Sequence, residues 1–256
     1  MLNAESLDVQ RASWLRHVAA AAVRNWLAVR YRVLSRRYGR LVVEEIDGVP
    51  LIVLPQVFNP VLLRTGAFMA RALAHLPLGR AGADLSVLDM GTGSGIGAIF
   101  AARRGARVVA VDINPEAVRC ARMNVLLNRL EDRVEVRQGD LFAPVAGQLF
   151  DLVLFNPPFH LGAPHHNLDY AWRGVDVFER FASGLAGALE LGGRALVVLS
   201  SDGDCRKLLI ELRAAGFAVE AVAQKDLINE LLTVYAVCHE HGPNDTTRMM
   251  GAVTVQ

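Results

Sequence analysis

The sequence predicts an α/β fold built on a mostly parallel seven-stranded sheet, with helices on both faces and an antiparallel strand at one edge. Three observations predict it. From about residue 84, short apolar runs alternate with amphipathic stretches. The runs are continuously apolar, as in strands buried on both faces. The last two lie too close together for a crossover helix, so they must pair antiparallel.

The elements follow in order. Leu15, Val18, Ala22, Trp26, Val29 and Val33 recur at helical spacing, which predicts a long N-terminal amphipathic helix capped at Gly39. LVVEEIDGVPLIVL reads as a hairpin turning at Asp47-Gly48. Then DLSVLDM is a strand, GIGAIFAARRG a helix, ARVVAVDI a strand and PEAVRCARMNVLLNR a helix. RVEVRQGD and FDLVLFN are strands, followed after a loop by a helix over about 175–190. The strand RALVVLSS, the helix CRKLLIELRAAG and the strands FAVEAVAQ and LLTVYAVC complete the pattern. The division expected is an appendage over residues 1–55, helix and hairpin, and a domain over 56–256.

Composition bounds the function. With 52% hydrophobic residues and a net charge of +1, the chain suits a folded domain rather than a disordered one. No apolar run approaches bilayer length and HVAAAAV is too short for a signal core, so a cytoplasmic location and no membrane partner are expected. Cys120, Cys205 and Cys238 lack metal or disulfide spacing. Eight arginines and no acidic residue fall between Arg11 and Arg40, which suits an acidic partner such as RNA. Only two lysines occur in the whole chain, so the block also fits a general preference for arginine.

In open parallel sheets, ligands bind beyond the carboxyl ends of the strands where strand order reverses. Three strand ends there carry chemistry. In VLDMGTGSGIG, Gly91, Gly93 and Gly95 permit a tight turn and close approach of backbone to ligand. Position 96 is Ile96, which departs from the GxGxxG fingerprint, and Asp89 before the turn suits a cation better than a pyrophosphate. Asp112 ends the next strand, 21 residues after Gly91, where a carboxylate can accept both hydroxyls of a ribose; Asn114 before Pro115 is the better helix cap. Asp140, after the following strand, can meet an adenine amino group. Together these ends describe an adenosine with a positively charged tail.

Asp89 with GTGSG, then Asp112, Asp140 and the tetrapeptide NPPF, in that order, resemble the class I S-adenosylmethionine (SAM)-dependent methyltransferases that act on planar nitrogens. The resemblance implies a Rossmann-like methyltransferase fold and SAM as cofactor. It also implies that Asp89, Gly91, Gly93 and Gly95 lie along the methionine part, Asp112 and Ile113 at the ribose, and Asp140 and Leu141 at adenine. Asn156 would serve both cofactor site and catalysis. An amide or base amine is a poor nucleophile because its lone pair is delocalised. Acceptors that gather its growing positive charge, the Asn156 side-chain oxygen and the Pro157 carbonyl, would stabilise the transition state. Pro157 and Pro158 fix the aim of that carbonyl, and Phe159 offers a flat face for stacking.

His160, His165 and His166 lack a matching cysteine or carboxylate cluster, so no metal is expected; the segment through Asp169-Tyr170 reads as a substrate-facing flap. His239-Glu240-His241 reads as a surface turn. GDLFAPVAGQLFDLVLFNPPF, AWRGVDVFERFASGLAGALELGGRALVVLS and NELLTVYAV are similar to HemK-type protein-glutamine methyltransferases, which modify release factors. That similarity implies a protein glutamine as acceptor, and implies that PQVFNPVLLRTG brings Thr65 to the cofactor. Phe159 stands where most members carry tyrosine, and no acidic residue lies between Asp47 and Asp84. The alternatives are an exocyclic amine of an RNA base and a small-molecule nitrogen.

Overall fold

The computed structural model describes residues 40–62, 64–76, 84–158, 160–161, 173–174, 176–201, 205–227, 230–240 and 253–254. The expected N-terminal helix and its Gly39 cap lie outside these residues, as do Phe159, His165, His166, Asp169, Tyr170, His241 and the side chain of His160.

β1 (Val42–Ile46) and β2 (Val49–Val53) form the expected hairpin, antiparallel from Val42↔Val53 to Ile46↔Val49. Asp47 and Gly48, at φ 49° and 78°, are the two left-handed residues of a type I′ turn, whose twist matches that of the strands. α1 (Thr65–His75) has no counterpart in the sequence expectation. Eight of its eleven residues are buried, so the polar face that marks an amphipathic helix is nearly absent.

The alternating part runs β3 (Ser86–Met90), α2 (Ile96–Arg103), β4 (Arg107–Asp112), α3 (Pro115–Leu127), β5 (Val134–Gln138) and β6 (Phe150–Phe155). The short strands β7 (His160–Leu161) and β8 (Arg173–Gly174) pair in parallel. α4 (Val177–Leu185), β9 (Leu189–Ser200), α5 (Cys205–Ala214), β10 (Phe217–Asp226), β11 (Leu231–His239) and β12 (Val253–Thr254) follow. The helix expected to reach residue 190 stops at Leu185 because β9 has already begun. Leu189 pairs with Phe150, and the Phe150 N–H donates to the Ala188 carbonyl at 2.8 Å. His239 is not in a turn: it closes β11 opposite Phe217, with ring centroids 4.8 Å apart.

Among the described residues the main sheet has the order β12-β10-β11-β9-β6-β3-β4-β5. β11 is the antiparallel strand, inserted between β9 and β10. Successive strand residues face opposite ways, so Val87, Leu152 and Leu154 pack with α1, α2 and α3, whereas Leu88, Val153 and Phe155 pack with α4 and α5. Ile46, Val49 and Leu51 of the hairpin join the first of these cores. Strand order reverses at β3: the chain moves outward to β4 and β5, then returns to place β6 on β3's other side. The crevice this creates is where an open sheet binds ligands.

Candidate active site

Strand register sets the site. Met90 pairs with Val111 of β4 and with Phe155 of β6. The next residue of each strand, Gly91, Asp112 and Asn156, therefore stands at one level, each strand about 4.8 Å from its neighbour.

In the turn after β3, Gly91, Gly93 and Gly95 have φ of 65°, 56° and 84°, where a side chain would be strained. The Thr92 N–H donates to the Val111 carbonyl at 3.0 Å and the Gly93 N–H to Asp112 Oδ2 at 2.8 Å, which ties the turn to β4. Asp89, only 6% exposed, accepts on Oδ2 from the Thr92 hydroxyl at 2.6 Å and from the Ala98 N–H at 2.9 Å. Burial pushes its carboxyl up to about 6, against the pull of those two hydrogen bonds and with added repulsion from Asp112. Burial raises Asp112 too, opposed by backbone N–H groups that include those of Asn114 and Gly93. Asn114 caps α3 as expected, accepting from the Glu116 N–H at 3.0 Å with Pro115 in the first turn, and its amide also donates to the Gln56 carbonyl at 3.0 Å.

On β6, Phe155 is 3% exposed and stacks on Phe181 of α4 with centroids 4.1 Å apart, which anchors the strand just before Asn156. Asn156 Oδ1 is buried and has no hydrogen-bond partner among the described residues. An amide oxygen left so costs about 1–3 kcal/mol unless a donor arrives. Pro157 and Pro158 continue from it along the rim.

Asp89, Gly91, Gly93, Asp112, Asn156 and Pro157 all line one cleft. Gln56, Val57, Phe58, Pro60, Gly66 and Met69 also line it. Thr65, Gly95, Ile113, Asp140 and Leu141 do not. Thr65 is fully buried next to cleft-lining Gly66, its hydroxyl without a partner among the described residues. Gly95 opens α2, where a Cβ would lie 3.2 Å from Ala121 of α3. Ile113 is 40% exposed. Asp140 accepts from Arg180 Nη2 at 2.6 Å, and Leu141 follows at φ 45°. Gln56, Val57, Phe58, Pro60, Gly66 and Met69 of the wall, Arg180, and Asn124 on α3 are absent from the sequence expectation as individual site residues, although Thr65 in the same segment was expected. Gln56 and Arg64 flank part of that wall in left-handed geometry, φ 66° and 60°, which neither residue type announces. Asn124 was findable, as a polar residue on the apolar stripe of Val118, Ala121 and Val125.

Among the described residues that line the cleft, the two ionisable ones, Asp89 and Asp112, are carboxylates. They suit a sulfonium and a ribose and oppose a phosphate. The protein is a SAM-dependent methyltransferase, an enzyme that uses SAM as methyl donor. The chain belongs to the methyltransferase small domain family, whose profile matches residues 57–227. It is 31% identical over 202 residues to a Methanocaldococcus jannaschii protein provisionally named a protein N5-glutamine methyltransferase, covering 75% of this chain and 97% of the relative. A tRNA1(Val) (adenine(37)-N6)-methyltransferase of Phocaeicola vulgatus is 36% identical over 124 residues, 46% of this chain and 53% of its own length. By fold the chain resembles the T. thermophilus 16S rRNA N2 G1207 methyltransferase in complex with AdoMet and guanosine, with a TM-score of 0.58 and 23% identity over 78% of this chain and 50% of that one. No helix among the described residues is long and apolar enough to cross a membrane.

Proposed function

We propose that this chain methylates the side-chain amide nitrogen of a glutamine in a protein substrate. The observation that carries the reading is the buried Oδ1 of Asn156 at the cleft, which has no partner among the described residues. A buried acceptor at this place favours a substrate that brings an N–H donor to it. A primary amide has two such hydrogens, one for Asn156 and one for the Pro157 carbonyl. Both bonds strengthen as the nitrogen gains positive charge, so they favour the transition state over the bound ground state. SAM, when bound, supplies the electrophilic methyl group. Asp112 would hold its ribose, Asp89 and the Gly91–Gly95 turn its charged methionine part, Ile113 and Thr65 would add contacts to it, and Asp140 with Leu141 would bound the adenine. Phe159 would supply the face on which the amide stacks. Glutamine is favoured over an RNA base because the glutamine-named relative matches over nearly its whole length, whereas the tRNA enzyme matches over about half.

Methyl-labelled SAM added to a lysate of the source cell tests the reading, with protein, RNA and small-molecule fractions counted separately and Asn156→Ala as control. Label in one protein band of release-factor size, released by acid hydrolysis as methylammonium that turns volatile once the hydrolysate is made alkaline, is expected. Label in RNA or in a metabolite would overturn the glutamine acceptor and leave the Asn156 role standing.

A further inference from the structure

The β1–β2 hairpin lies outside the residues matched by the family profile, yet it is bolted to the glycine turn through one buried side chain. Asn124 of α3 has no exposed surface. Its Oδ1 accepts from the Ile52 N–H at 2.6 Å, and its Nδ2 donates to the Ile52 carbonyl at 2.7 Å and to the Ser94 carbonyl at 2.8 Å. Both amide hydrogens and the oxygen are thus engaged. Towards Ile52 the side chain behaves as a short third strand on the edge of β2, satisfying both backbone groups of that residue. Towards Ser94 it grips the turn between Gly93 and Gly95. A second amide farther along the helix, Asn128 Nδ2, donates to the Pro50 carbonyl of the hairpin at 3.0 Å and to the backbone carbonyl of Asn124 at 2.9 Å, with no bond to the glycine turn among the described residues.

We propose that Asn124 is a positioning residue of the donor site, fixing the Ser94 carbonyl and so the glycine turn, and that it makes the hairpin a working part of SAM binding. Thr92 and Gly93 are tied to β4, but Ser94, set between two glycines, would otherwise keep conformational freedom of its own. Asn124 removes that freedom before the donor arrives, so the ordering cost is not met on binding. The proposal rests on the donor lying along this turn. Asp112→Ala separates the two ideas: if it too leaves SAM affinity unchanged, the donor-site reading has failed rather than the coupling.

Asn124→Ala and Asn128→Ala give the test, by calorimetric titration with SAM, steady-state turnover and thermal unfolding. Asn124→Ala should weaken SAM by about tenfold or more, with turnover at saturating SAM within about threefold of wild type. Asn128→Ala should lower the melting temperature and leave SAM affinity within about twofold. Affinity unchanged in Asn124→Ala, or reduced equally in both variants, would overturn the proposal. Hydrogen exchange on the wild-type protein decides the matter even if Asn124→Ala does not fold. Saturating SAM should slow exchange in 91–95 and in 49–53 together; protection confined to 91–95 would show that the hairpin takes no part.

Discussion

Asp89 is a carboxylate held where water scarcely reaches it, and its chemistry follows from that. Its folded pKa, about 6, lies above the ordinary 3.8, so between those values the folded protein holds a proton that the unfolded chain has lost. Stability therefore falls as pH rises through this window, by on the order of 3 kcal/mol in full. The unliganded wild type measured against Asp89→Asn by denaturant unfolding should lose ground between about pH 4 and 6 and level off above. A difference that stays flat would contradict the buried, ionising carboxyl. Affinity for cationic SAM should move the opposite way, rising as Asp89 ionises. Asn156 belongs to the same scale. Asn156→Ala should lower kcat by about 10²–10³-fold and leave SAM affinity nearly intact. Equal loss in both would mean that the side chain serves the donor and not the acceptor.

At the scale of elements, the longer strands were legible, whereas the two-residue strands β7, β8 and β12 and parts of the cleft wall were not. β3, β4 and β6 announce themselves as continuous apolar runs, and their ends carry Asp89, Asp112 and Asn156, so strand pattern and chemistry fell in the same places. α1 hides because burial on nearly every side erases its polar face. The early onset of β9 hides for another reason. Gly193 crosses so close to β6 that a Cβ would sit 2.9 Å from the Phe150 carbonyl, a contact between residues 43 apart that no local pattern encodes. The same logic gives a prediction at the start of α2. A Cβ on Gly97 would lie 2.6 Å from Asp89 Oδ1, and helix backbone cannot shift as a side-chain tip can. Gly97→Ala should cost about 1–3 kcal/mol in stability and weaken SAM, by equilibrium unfolding and titration. A variant of wild-type stability and affinity would mean that Asp89 can turn aside freely.

For the molecule as a whole, the described residues that line the donor cleft all fall within 56–256, and the hairpin of the expected appendage meets them through a shared core. Hairpin residues enter the core shared with α1, α2 and α3, and the cleft is walled by the segment from Gln56 to Met69 on one side and by strand ends on the other. Binding should therefore stabilise one cooperative unit. SAM at about 100 times its dissociation constant adds about 2.7 kcal/mol, equivalent to about 5–10 °C in Tm for a chain of this size. A single transition shifting upward is expected in calorimetry. Two transitions, with only one responding to SAM, would show that the cleft does not join the parts of the fold energetically.

The common level of Gly91, Asp112 and Asn156 also constrains how this chain can diverge. Substitutions beyond the strand ends can reshape the acceptor side while the sheet stays as it is. A deletion of a single residue inside β6 is another matter. It would exchange the two faces of the strand for every position past the deletion, sending Phe155 away from Phe181 and drawing Asn156 back from the rim in one event. Lineages descended from such a chain should thus accumulate length changes in the connections and almost none within β3, β4 or β6, so that the sheet behaves as a reading frame for the chemistry written at its edge.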